Sequence, residues 1–109
     1  MASVIRGSDN FDSLASSGIG VNQTWQNVSG SRSVNVNYTN TSGKPIVVSI
    51  NGILTSGGSN VVVTVDGLVV AIDDCSNNVW GNVSVVVPAG SIYKLNSAGF
   101  STLNWFELR

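Results

Sequence analysis

The sequence has no histidine, a single cysteine and few charged residues, and each shortage excludes a class of protein. Without histidine or a second cysteine, the usual ligands of a zinc or redox centre are missing, and Cys75 has no partner for an intrachain disulfide. The five basic residues are scattered along the chain and the net charge is -1, so no basic patch is available for nucleic acid or an anionic membrane. We therefore expect no cofactor, no metal, and neither nucleic acid nor membrane as a partner.

Long hydrophobic runs are also missing. The first residues, MASVIRGSDNFDS, contain no apolar segment of signal-peptide length, and no run approaches the roughly 20 residues of a membrane span. The sequence thus predicts a chain that is synthesised in the cytoplasm.

Neutral polar residues take the place of charge. Charged residues make up 10% of the chain, against about 25% in an average globular protein. Short neutral side chains cost little conformational entropy when they are immobilised, and they leave no desolvated charge when two surfaces meet. A surface of this kind suits close assembly, and we expect a symmetric homo-oligomer.

Alternation of apolar and β-branched residues predicts short strands throughout the chain after residue 20. Residues Val34, Val36 and Tyr38 should point inward from the first clearly alternating strand, which should pair with the next one through the turn at 41–45. The predicted strands are 25–28, 33–39, 45–50, 61–65, 68–72, 83–87, 91–95 and 103–109.

Turn signals between these strands indicate the fold class. Asp66-Gly67 separates two valine-rich runs and suits the two-residue type I′ turn of a hairpin. Seven or eight short strands with frequent turns predict an all-β fold, an antiparallel β-sandwich or jelly-roll-like domain over residues 21–109. Residues 1–20 lack strand periodicity and predict an extended N-terminal arm, with Phe11 and Leu14 as its candidate anchors.

Aromatic residues fall into two groups. Trp25, Tyr38 and Trp105 lie in predicted strands, where we expect them in the core. Trp80 follows the polar segment 73–78, where we expect a loop. An exposed Trp80 beside the amides of Asn77 and Asn78 could stack on a sugar ring, or it could cap the sandwich or fill a subunit interface.

The carboxylates of Asp73 and Asp74 complete this candidate binding loop. They could serve as oxygen ligands for Ca²⁺, but the loop lacks the dense acidic spacing of an EF-hand, and a solvated loop is the alternative. Paired carboxylates also hydrolyse glycosides, although that reaction needs two carboxyl groups at a fixed distance with separated pKa values. With six carboxylates and no further catalytic groups, the sequence predicts no enzyme.

Several short motifs resemble a known family. The opening GVNQTWQNV at 20–28 and the later YTNT at 38–41 and GKPI at 43–46 resemble the C-terminal β-rich module of tail-fibre and related virion proteins of tailed bacteriophages. The resemblance extends through VDG at 65–67 and VPAG at 87–90 to WFELR at 105–109. It implies a β-rich domain exposed on the virion, often trimeric, and implies no catalytic site. With this resemblance, we expect the homo-oligomer to be a trimer and the arm to serve for virion attachment through Phe11 and Leu14.

Two functions follow as alternatives from these expectations. The first is a tail-fibre or fibre-tip module that binds a host surface glycan or protein. The second is a small decoration protein that stabilises the capsid or tail, contacts other virion proteins and recognises nothing outside the particle. The loop carrying Trp80 and the arm carrying Phe11 are compatible with either function.

Overall fold

Two four-stranded antiparallel sheets form the domain in the computed structural model, which describes residues 18–55, 60–74, 79–97 and 99–109. The all-β prediction is confirmed, and within these ranges the only helical element is a short 3₁₀ turn, Ser29–Ser31. The strands are β1 (Trp25–Asn27), β2 (Tyr38–Thr39), β3 (Ile46–Leu54), β4 (Asn60–Val65), β5 (Leu68–Asp74), β6 (Trp80–Val87), β7 (Ile92–Asn96) and β8 (Phe100–Leu108).

The strand order is that of a jelly roll. Sheet I has the order β1-β8-β3-β6 and sheet II the order β2-β7-β4-β5. The chain pairs β4 with β5, β3 with β6, β2 with β7 and β1 with β8, as a long hairpin does when it is folded across two sheets. The tip of that hairpin is Asp66-Gly67, whose φ angles of 52° and 83° are both positive, as the predicted type I′ turn requires.

The core lies between the sheets and is built from alternate residues of their strands. In β3 and β6 every second residue is buried, and their apolar side chains face the buried residues of β4 and β7. Trp105 is fully buried, as predicted, and Tyr38 packs against the core with its ring in edge contact with Trp105, at 5.8 Å between centroids.

Three predictions about the segment 33–39 are wrong. Only Tyr38–Thr39 forms a strand, because Asn35 has a φ of 61° and its N–H donates to the carbonyl of Leu95 rather than continuing a strand. Val36, expected to point inward, is 42% exposed. The predicted pairing with the next strand is also absent, since β2 belongs to sheet II and β3 to sheet I.

The crossing between the sheets depends on Asn40, which is fully buried. Its side-chain amide donates to the carbonyl oxygens of Lys44, Val87 and Pro88, and its side-chain oxygen accepts from the N–H and hydroxyl of Ser42. These bonds join the segment after β2 to the end of β6, where the chain leaves one sheet for the other. The segment 41–45, which has the composition of a hairpin turn, is therefore a connection between the two sheets.

The prediction for Trp25 is also wrong. It was expected in the core but is 56% exposed, because β1 is a three-residue edge strand and Trp25 lies opposite Leu108 on the outward side of sheet I. The alternation of a three-residue strand is too short to show which side is buried.

A carboxylate, Glu107, is buried within this core with no exposed surface. Its two oxygens accept five hydrogen bonds: two from Arg32 at 3.2 Å each, and one each from Arg109 at 2.7 Å, Tyr93 at 2.8 Å and Trp105 at 3.1 Å. Burial alone would raise the pKa of Glu107, but the bonds from Arg32, Arg109 and Tyr93 outweigh it and hold that pKa below its usual value. Burial and the bond to Glu107 raise the pKa of Tyr93 to about 12.

We expect Glu107→Gln to lower the free energy of unfolding at pH 7 by about 3 kcal/mol, because two guanidinium groups lose their buried counter-charge. The folded-state pKa of Glu107 is lowered, so its ionised form stabilises the fold above the unfolded-state pKa, and this contribution disappears as the pH falls through the folded-state pKa. Urea unfolding measured from pH 7 to pH 2 should show the variant approaching the wild type in stability. A constant difference across that range would contradict this role of the charge.

Candidate functional site

The predicted site residues lie at one end of the jelly roll. Asp73 and Asp74 end β5 and Trp80 begins β6, so all three belong to strands rather than to the loop that the sequence predicts. Asn77 and Asn78 fall outside the described residues, as do Phe11 and Leu14 of the predicted arm. We call this end of the domain, where β3 and β5 end and β6 and β8 begin, the far end.

Asp73 joins the two sheets at their shared edge. Its carboxylate accepts a hydrogen bond of 2.6 Å from the backbone N–H of Asn82, on the side of β6 that has no strand beside it in sheet I. An inward-facing charge that occupies an edge N–H also hinders pairing with a foreign strand. Asp73 therefore has a structural role, and it places β5 beside the strand that carries Trp80.

Metal binding finds no support in the described part of the chain. No group of three or more carboxylate, cysteine or histidine side chains comes together there. The described residues also contain no helix long and apolar enough to cross a membrane.

The outward side of sheet I carries a row of amides next to Trp80. Asn82, Asn51 and Asn104 lie opposite one another on β6, β3 and β8, and the side-chain nitrogen of Asn104 donates to the side-chain oxygen of Asn51 at 2.9 Å. One row nearer the far end, Trp80 and Ile53 occupy the same register. Trp80 is 56% exposed, so its indole is available on this surface.

Two further rows continue the same surface toward the opposite end. The first is polar at β6 and β3, where the hydroxyl of Ser84 donates to that of Ser49 at 3.3 Å. The second is apolar across all four strands. These rows are Ser84, Ser49, Phe106 and Asn27, then Val86, Val47, Leu108 and Trp25. No ionisable side chain occurs in any of the rows, and we call this surface the neutral face.

The opposite end of the domain holds the incoming chain. The side-chain amide of Gln23 donates to the carbonyl of Pro45 at 2.9 Å, and the ammonium of Lys44 donates to the carbonyl of Val21 at 2.7 Å. Asp66 accepts from the hydroxyl of Ser91 and the N–H of Ile92, and these bonds lower the pKa of Asp66, the backbone bond most. This entry end is thus closed by bonds between the segment before β1 and the loops.

The motifs that carry the family resemblance are brought together by these bonds. Gln23 belongs to the first motif and Lys44 and Pro45 to the GKPI motif, while Pro88 of VPAG receives a bond from Asn40 of YTNT. The terminal motif supplies Trp105, Glu107 and Arg109 to the buried carboxylate cluster. Each motif thus has a structural explanation, and none of these contacts lies at the far end.

Comparison with known proteins gives no relative: no protein family, curated protein or solved structure matches the chain. The site must therefore be judged from its own geometry.

Sequence reasoning missed the neutral face as a unit. The alternation Trp80, Asn82, Ser84, Val86 in β6 is visible in the sequence, and so is the alternation Thr102, Asn104, Phe106, Leu108 in β8. The side-by-side placement of Asn82, Asn51 and Asn104 follows from the register of three strands that are distant in the chain, and single-strand periodicity does not contain that register.

Truncation of Trp105 should destabilise the domain much more than truncation of Trp80. Trp105→Ala should cost about 3 to 5 kcal/mol of stability because it empties a fully buried site. Trp80→Ala should cost less than about 1 kcal/mol, since the side chain is largely exposed. Urea unfolding followed by circular dichroism measures both values. Equal losses would show that Trp80 is part of the core.

Proposed function

We propose that the chain is a structural protein of a bacteriophage virion, a tail-fibre or fibre-tip module that binds the bacterial host surface. The observation that carries this proposal is the joining of the family-like motifs into structural clusters at the entry end and around Glu107. Motifs that hold a fold together identify a type of module better than motifs in independent loops do, because each depends on the others.

The placement of the chain entry and of Trp80 at opposite ends of the domain also supports a tip module. The segment 18–24 reaches β1 at the entry end and is fixed there by Gln23 and Lys44. Trp80 and the neighbouring amide row lie toward the far end, away from this attachment. A module attached in this way presents the neutral face and the far end to its surroundings.

Immunogold labelling of particles tests the proposal. Antibodies raised against the purified chain should bind to the tail or to fibre ends in electron micrographs. Label on the head would instead favour the decoration protein, and particles without label would contradict both virion functions.

The decoration protein remains the second candidate because β5 exposes a strip of apolar side chains. Leu68, Val69, Val70 and Ile72 are each 50–69% exposed on this edge strand. A bulge opposite Val63 and Thr64 leaves Val70 without a partner in the ladder, so that neighbouring valines both face solvent. Such a strip suits contact with another subunit, either a virion protein or a further copy of this chain.

We also propose that the chain forms a homotrimer through this strip, in line with its low charge. Ile72→Lys should convert the trimer into a monomer, because a lysine ammonium would be desolvated at the contact. Asn37→Lys, on an exposed residue outside the strip, is the matched control and should leave the trimer intact. Multi-angle light scattering at micromolar concentration gives the mass, and a monomeric wild type would refute the assembly.

A further inference from the structure

We propose that the neutral face of sheet I is a ligand site and that its ligand is an uncharged polysaccharide. The polysaccharide lies across β6, β3 and β8 along the row of Asn82, Asn51 and Asn104, with one sugar ring stacked on Trp80. This assignment deepens the proposed function and rests on it, since it names the host molecule that such a module would bind. The proposed site lies on the face of a sheet, whereas the sequence predicted a binding loop at 73–78.

The amide row has the hydrogen-bonding chemistry that sugar hydroxyls require. A hydroxyl both donates and accepts, and so does a side-chain amide. The bond from Asn104 to Asn51 uses one donor and one acceptor and fixes the orientation of both groups. Asn82 is exposed, and its side-chain amide makes no hydrogen bond to another described residue. The row therefore offers oriented donors and acceptors over about 10 Å, the width of three adjacent strands.

Trp80 supplies the apolar half of the contact. It lies two residues before Asn82 on the same side of β6, about 7 Å along the strand. Its exposed indole provides a flat surface on which the C–H face of a sugar can lie while the ring hydroxyls reach the amides. An aromatic platform beside a row of amides is thus available on one rigid surface.

The charge of the surface decides between possible occupants. With no cation among its side chains, the face offers nothing to an anionic glycan or an acidic peptide. A second copy of the chain would bury the amides, and interface cores are built mainly from aromatic and apolar residues. The exposed apolar strip on β5, on the other sheet, meets that description. Within the neutral face only the row of Val86, Val47, Leu108 and Trp25 does so, and it lies away from the amides. A neutral polysaccharide is the partner whose chemistry matches the row.

Binding of purified protein to immobilised polysaccharides tests the assignment. The probes are neutral glucan, mannan, galactan and rhamnan, with hyaluronan as the anionic comparison. We expect the wild type to bind at least one neutral probe and not hyaluronan. Trp80→Ala and Asn82→Ala should each weaken that binding about tenfold, the effect of losing one good contact. Lys94→Ala, on the outward side of sheet II, is the control and should bind as the wild type does.

Three outcomes overturn the assignment: no binding to any neutral probe, binding that both face variants leave unchanged, and a face variant that lowers the oligomer mass. Thermal unfolding of each variant must match the wild type, and where Asn82→Ala is unstable, Asn82→Ser takes its place. The particle-labelling experiment is independent of these results. Failure to bind with label at the fibre ends refutes the glycan face alone, whereas binding without label on particles refutes the virion function and leaves the face standing.

Discussion

The buried carboxylate of Glu107 connects the parts of the domain that short strands alone do not hold. β1 and β2 contain three and two residues, so their ladders contribute few hydrogen bonds. Glu107 on β8 binds Tyr93 on β7 of the other sheet and Arg32 in the connection between β1 and β2. The guanidinium of Arg32 in turn lies 4.7 Å above the ring of Tyr38. One charged group thus fixes the connection, the first strand of sheet II and the pairing of the sheets.

A charge buried in this way is stable only because every lone pair is used. Five donors surround two oxygens, and the two arginines keep part of their surface in water. The same saturation makes the cluster a poor candidate for chemistry, since the carboxylate has no room to take a proton from a substrate. Its perturbed pKa is therefore a property of the fold, although such shifts also occur in active sites.

The surface divides into regions of different chemistry. The entry end is closed by Gln23, Lys44 and Asn40, which use side chains to bind backbone carbonyls. The neutral face of sheet I presents amides and hydroxyls between apolar rows, and β5 of sheet II presents an apolar strip. Low overall charge has a separate consequence in each region. In the proposed assembly it permits subunit contact at the strip without desolvating ions, and in the proposed recognition it leaves binding at the face to hydrogen bonds and stacking.

The sequence by itself determined the fold class, most of the strands and the hairpin at Asp66-Gly67, because period-two alternation and positive-φ turn residues are local signals. It also placed Trp105 in the core correctly, within a long strand. Tertiary structure alone decided that Trp25 is exposed, that β2 and β3 belong to different sheets, and that three asparagines from distant strands share one row. These features depend on register and on which sheet a strand joins. Both are set by contacts such as those of Asn40 and Glu107, whose partners lie 47 and 75 residues away in the chain.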